Sequence, residues 1–115
     1  MSHGTYDVIS YEGHVTIIWR GDSLRERGTA SADQMGEDWW WVCRVLVDPK
    51  DVRGQGIGTE LITRLKAEVV KGGCRRLVVS PGGYDMDQSK QRQFYIRNGF
   101  SAEDAEHDRV YVWRP

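Results

Sequence analysis

The sequence has little cysteine, no long apolar run and almost no net charge, and each shortage removes a class of function. Cys43 and Cys74 are its two cysteines. They are too far apart for a CxxC pair, and no histidine stands near either at zinc-ligand spacing. A zinc module is therefore excluded, no metal site is expected, and each thiol is expected to be a small apolar packing group. No apolar stretch approaches the ~20 residues that cross a bilayer, and no leader-like segment opens the chain. A soluble, reducing, cytoplasmic setting without membrane contact is the expectation. Sixteen Lys and Arg against 17 Asp and Glu leave a net charge of −1. The general basic footprint of a nucleic-acid binder is missing, so nucleic acid is not an expected partner. Internal repeats and low-complexity tracts are missing too.

What is present fits one globular domain spanning residues 1–115, with 39% hydrophobic and 29% charged residues. Residues 5–11 and 14–20 are rich in β-branched and aromatic residues, and Glu12-Gly13 between them predicts a hairpin. Residues 21–38 are polar and interrupted by Gly21, Gly28 and Gly36. They read as a long connection with at most a short helical piece, of the kind that is functional or mobile. Residues 39–47, Trp-Trp-Trp-Val-Cys-Arg-Val-Leu-Val, predict a strand buried on both faces, ended by Asp48-Pro49.

A helix is predicted over 57–71, because Ile57, Leu61, Ile62, Leu65 and Val69 form one apolar stripe. Gly72-Gly73 stops it. Residues 75–80 predict another buried strand, ended by Pro81-Gly82-Gly83. Residues 87–98 predict a second helix, with Asp87 as its N-cap and Asn98-Gly99 as its stop. Residues 109–113 predict a last strand. The fold class is α/β (α+β): a mixed central sheet flanked by helices, in the order β-β-loop-β-α-β-α-β.

Between the central strand and the first helix stands Arg53-Gly54-Gln55-Gly56-Ile57-Gly58. A helix N-terminus carries unpaired backbone N–H groups and a partial positive charge, so it attracts phosphate. Three glycines at alternate positions let a diphosphate approach the backbone, and Arg53 adds a cation. A Walker loop would need Gly-Lys-Ser/Thr, whereas Thr59-Glu60 follows Gly58. A dinucleotide fingerprint starting at Gly54 would need glycine at position 59, and the chain has no room for a second mononucleotide half. A plain turn with glycines of convenience is the competing reading.

The run Val45-Leu46-Val47-Asp48-Pro49, with Arg53 to Leu61 after it, resembles motif A of the GNAT acetyltransferase superfamily. Phe94-Tyr95-Ile96-Arg97-Asn98-Gly99-Phe100 resembles its motif B. The resemblance covers residues 40–100. It implies a GNAT-like acyl-CoA N-acyltransferase fold, shortened at the N-terminus. The compact layout is similar to very small acetyltransferases of the viral anti-CRISPR type. It also implies acetyl-CoA as the cofactor and transfer of its acetyl group to a primary amine, by direct attack in a ternary complex. The backbone of Gly54, Gln55, Gly56, Ile57, Gly58 and Thr59 would anchor the cofactor, with Arg53. The Val45-Leu46-Val47 segment would pair with the pantetheine arm as an added strand does. Gln88 stands where many members carry asparagine.

Tyr95 is the candidate general acid and also touches the cofactor; its competing reading is a core tyrosine. Phe94 and Phe100 are core. Glu37 and Asp38, just before the central strand, are the candidate base acting through water, with His14 and His107 as further options. Alternate rings of Trp39-Trp40-Trp41 face opposite sides; core packing is the expectation, with one face lining the acceptor cleft as the competing reading. Arg75-Arg76 would meet the cofactor's 3′-phosphate or stay solvated. The acceptor is expected to be a protein lysine or N-terminus, and a homodimer would rebuild the wall that missing N-terminal helices leave open. Two other functions fit the same residues: a non-catalytic acyl-CoA-binding module, and an acetyltransferase acting on an amino-bearing nucleic-acid base.

Overall fold

The computed structural model describes residues 4–48, 56–81, 88–104 and 109–115. Its element order is β1 (Thr5–Tyr11), β2 (His14–Arg20), β3 (Arg27–Gln34), β4 (Trp39–Asp48), α1 (Ile57–Lys71), β5 (Arg76–Val79), α2 (Gln88–Arg97), β6 (Ser101–Asp104) and β7 (Arg109–Trp113). The strands form one seven-stranded sheet in the order β1-β2-β3-β4-β5-β7-β6. Among the described strands, only β4 and β5 pair in parallel, joined by the crossover through α1. The expected mixed sheet with helices is what forms.

The Glu12-Gly13 turn closes the β1–β2 hairpin with Tyr11 opposite His14. On β2, Val15, Ile17 and Trp19 are buried, and on β3 so are Ala30 and Ala32. On β4 it is Trp40, Val42 and Val47. These side chains meet the α1 stripe of Ile57, Leu61, Ile62, Leu65 and Val69, all five of which are buried as the periodicity predicts. Burying one such stripe against a sheet is the main source of stability here, at roughly 1.5–3 kcal/mol per large aliphatic side chain.

Three expectations are corrected. Residues 27–34 are not part of a loop; they are β3, lying between β2 and β4. The first helix runs close above it. A Cβ on Gly28 would stand 3.1 Å from Leu61 Cδ1, so β3 buries glycine and alanine where a standard strand buries valine. Residues 101–104 form β6, an edge strand too short and polar to have been read. Finally, β4 is buried on one face only: Trp39 and Trp41 are partly exposed, and Cys43 and Arg44 are exposed.

Among the described residues, no helix is long and apolar enough to cross a membrane. Nor do any three His, Cys, Asp or Glu among them converge as metal ligands.

Candidate functional site

Strand β4 changes its neighbours halfway along. Trp39, Trp40 and Trp41 pair with Arg76, Leu77 and Val78 of β5, and the register stops there. Val79 goes on pairing with Tyr111 of β7, while β4 runs on beside β3 as far as Asp48. The two parallel strands have therefore parted by Val42. From Val42 to Leu46, β3 is the one strand neighbour of β4 among the described residues. Among the described residues, no strand pairs with the other side of that stretch, so this gap in the ladder can receive an extended chain as an added strand.

A β-bulge marks the same point. Ser31 pairs with Arg44 and Ala32 with Val42, so Cys43 is the extra residue. The bulge reverses the alternation: Trp40 and Val42 face the core, Cys43 and Arg44 both face away, and Val45 packs on the core again.

The N-terminus of α1 lies beyond the other end of β4. Gly56 occupies the N-cap with φ 83°, a left-handed conformation that glycine adopts without strain, and no side chain among the described residues caps the helix. Its carbonyl accepts from Glu60 N–H at 3.0 Å, which starts the helical ladder. Open space surrounds the position a Cβ would take on Gly56. A helix start with no side-chain cap, a bare residue and a partial positive charge suits a diphosphate.

Gly58 serves a different end. A Cβ there would stand 3.1 Å from Phe94 Cε1, so the missing side chain lets α2 approach α1. Asn98, buried at the end of α2, donates from Nδ2 to the Phe94 carbonyl at 2.8 Å and lies 3.5 Å from Thr59 Oγ1. The Tyr95 carbonyl accepts from Phe100 N–H at 3.0 Å. The Tyr95 ring packs edge-on against Phe94 and Phe100, with centroids 5.2 and 5.3 Å apart. Only 6% of Tyr95 is exposed, and that burial pushes its phenol up to about 12.

Arg53, Gly54 and Gln55 lie outside the described residues, as do His107 and the expected N-cap Asp87. Gln88 begins α2. Gly56, Ile57, Gly58 and Thr59 stand together at the start of α1, with Ile57 turned into the core. Val45, Leu46 and Val47 lie on β4 past the bulge, Val47 also buried.

Glu37 and Asp38 are not brought to the gap. Both are exposed at the opposite end of β4, where the Asp38 carbonyl accepts from Arg75 and Arg76 N–H at 2.6 and 3.1 Å. Five residues of strand, roughly 17 Å, separate Asp38 from Cys43. Arg75 and Arg76 share that distant end, beyond the C-terminus of α1, where the Arg76 guanidinium lies 5.2 Å from the Trp39 ring. Both arginines are exposed there, as the solvated reading of this pair has it.

Sequence reasoning missed a polar cluster on the face of the sheet opposite α1. His14 Nδ1 lies 2.5 Å from Asp33 Oδ1, and His14 Nε2 lies 2.6 Å from Thr16 Oγ1. The Cys43 thiol donates to Asp33 Oδ2 at 3.1 Å. Cys43 is thus no packing residue; burial, then the Asp33 carboxylate, pushes its thiol up to about 11. Asp33 is held below the usual carboxylate range, chiefly by the hydrogen bond to His14. The signal in the sequence was His14 alone; without β3, nothing placed Asp33 opposite it.

A parting of two parallel strands beside a helix led by glycine is an arrangement with known counterparts. The model of the GNAT acetyltransferase domain matches residues 11–102. The chain belongs to the GNAT acetyltransferase family. A protein of Klebsiella pneumoniae assigned to the acyl-CoA N-acyltransferases superposes with a TM-score of 0.74 at 21% identity, covering 92% of this chain and 75% of that one. The PaiA N-acetyltransferase of Thermoplasma acidophilum, in complex with coenzyme A, gives 0.73 at 18%, covering 90% and 62%. Anti-CRISPR protein AcrVA5 gives 0.64 at 24%, covering 88% of this chain and 98% of its own. No curated protein matches by sequence.

As a GNAT acetyltransferase the chain is an acyl-CoA-dependent enzyme, and acetyl-CoA fits what the structure offers. The start of α1 suits its diphosphate and the gap beside β4 suits its pantetheine arm. Bound there, it would supply an activated acetyl thioester.

Proposed function

We propose that this chain transfers the acetyl group of acetyl-CoA to a primary amine by direct attack within a ternary complex. The carrying observation is the separation of β4 from β5 after Trp41↔Val78, beside a helix start with no side-chain cap. Backbone N–H groups of residues 54–59, with Arg53, hold the diphosphate. The Val45-Leu46-Val47 stretch lines the pantetheine, and a β4 amide polarises the thioester carbonyl, worth a few kcal/mol.

Tyr95 attends the departing sulfur. With its phenol at about 12, it is neutral throughout the physiological range. Full proton transfer to a thiolate whose conjugate acid lies near 8.5 would run uphill by roughly 5 kcal/mol. Tyr95 therefore acts by donating a hydrogen bond, which stabilises the thiolate until solvent protonates it.

The acceptor is a protein lysine or N-terminus. The face opposite α1 carries a groove of about 290 Å³ lined by Arg27, Gly28, Thr29, Arg44, Leu46 and Asp48. It runs along the same half of β4 that borders the gap, so a side chain presented by a large partner can reach the bulge.

The test is release of free thiol from acetyl-CoA with a panel of lysine peptides, free N-termini and small amines, alongside calorimetric titration with CoA. Thiol release requiring an amine is the expected result. Neither release nor binding would overturn the proposal.

A further inference from the structure

His14, Asp33 and Thr16 form a hydrogen-bonded row on the open face, and Cys43 joins that row to the bulge of β4. His14 Nδ1 and Asp33 Oδ1, 2.5 Å apart, need a proton between them. The Nδ1 position therefore carries hydrogen, and Nε2 of the neutral ring keeps its lone pair. That lone pair meets Thr16 Oγ1 at 2.6 Å, so the hydroxyl donates to it. The ring is fixed from three sides: by Asp33, by Thr16, and by Tyr11 stacked at 4.9 Å. A carboxylate that fixes the tautomer and stabilises the imidazolium, with a hydroxyl on the other nitrogen, is an arrangement built to move protons.

Its place on the sheet gives it a substrate. Thr16 pairs with Ser31, and Ser31 with Arg44, the residue after the bulge. Thr16 thus stands two strand spacings from β4, roughly 10 Å. Asp33 is nearer, touching Cys43 directly. The groups facing His14 are Tyr11 from β1, Thr16 from β2 and Asp33 from β3, and Cys43 from β4 meets Asp33 rather than the ring. His14 keeps 24% of its side chain exposed, enough to exchange protons with water.

We infer that His14, positioned by Asp33, takes up the proton that the acceptor amine must lose. The amine's N–H bond breaks and its proton passes, along a chain of waters spanning roughly 10 Å, to Thr16 Oγ1. The Thr16 proton moves to His14 Nε2, and the resulting imidazolium faces the Asp33 carboxylate. The freed lone pair on nitrogen then attacks the thioester, and the imidazolium releases its proton to solvent. This rests on the transferase reading above, and it assigns a base on the open face beside the bulge, whereas Glu37 and Asp38 stand at the far end of β4.

The test combines His14→Gln, Asp33→Asn and Thr16→Val with wild type. Thiol release with a lysine peptide is followed from pH 5 to 9, with calorimetric CoA binding and a thermal melt for each protein. His14→Gln should lower kcat at pH 7 by 100-fold or more and abolish the acidic limb of the rate profile, with CoA affinity within twofold of wild type. Asp33→Asn should lower kcat and change the shape of that limb with CoA affinity within twofold of wild type, because the ring loses the carboxylate that fixes its tautomer. If His14→Gln does not fold, Thr16→Val tests the relay with the dyad intact, and should lower kcat at least tenfold. A variant with wild-type kcat and an unmoved acidic limb overturns this assignment while the transferase reading stands. A wild type that binds CoA and acetylates nothing overturns both. Nitrogen NMR of the imidazole supplies a readout without turnover: a neutral ring protonated on Nε2 also overturns the assignment.

Discussion

Lys66 in the middle of α1 donates from its ammonium to the backbone carbonyl of Asn98, the residue that closes α2. The same ammonium lies 5.4 Å from the Phe100 ring and 4.8 Å from the Trp113 ring. Burial moves the Lys66 ammonium below its ordinary range. This cation ties the helix that begins at Gly56 to the end of the one that carries Tyr95.

Replacing that cation should loosen the pair. Lys66→Met fills much the same space and removes the charge. A charged hydrogen bond and a partly shielded cation–π contact together contribute about 2 kcal/mol. In a domain of this size that corresponds to a fall in Tm of roughly 10 °C, read by differential scanning calorimetry.

The two described glycines at the helix start should separate stability from binding. Gly56→Ala meets no neighbouring atom but forces alanine to φ 83°, at about 1–2 kcal/mol. A methyl group there intrudes on the diphosphate, so CoA affinity should fall at least tenfold by calorimetry. Gly58→Val instead drives a branched side chain against Phe94. It should lower stability by about 1–3 kcal/mol and displace α2.

Tyr95 should leave a mark on alkaline stability. Its folded value near 12 exceeds the unfolded value near 10, so between these pH values the native state holds the extra proton. The stabilising contribution is complete below pH 10 and is lost as pH rises through 12, amounting to about 3 kcal/mol. Cys43 and Cys74, also raised, act with the same sign. Tyr95→Phe should flatten the fall in stability across that window in denaturant titrations, and should lower kcat by about tenfold or more at pH 7.

Cys43 should be exposed yet slow to react. Its thiol, pushed up to about 11 by burial and by Asp33, is almost wholly protonated at pH 7.5. Asp33→Asn removes the second cause, so labelling by an aromatic disulfide should accelerate at least threefold. Buried Cys74 should stay unlabelled in both proteins until they unfold.

Much of this was legible along the chain. The α1 stripe was complete in the spacing of Ile57, Leu61, Ile62, Leu65 and Val69, because a helix that buries one face repeats its apolar residues every three or four positions. The β1–β2 hairpin was legible for a similar reason: Glu12-Gly13 sits between two β-rich runs. Strand β3 was not, since its inward residues Gly28, Ala30 and Ala32 are small. Their alternation is one of size rather than hydrophobicity, and it has meaning only once Leu61 is known to pass 3.1 Å from a Cβ at position 28.

The sequence by itself determined the helices, the hairpin and the family, since these depend on residues close together in the chain and on motifs at fixed spacing. Tertiary structure alone decided that β4 leaves β5 after Trp41, that Cys43 bulges there, and that Glu37 and Asp38 end far from the gap. It also decided that His14 meets Asp33, nineteen residues on. Such contacts depend on strand register, which is fixed by packing across the whole sheet and not by any local run of residues.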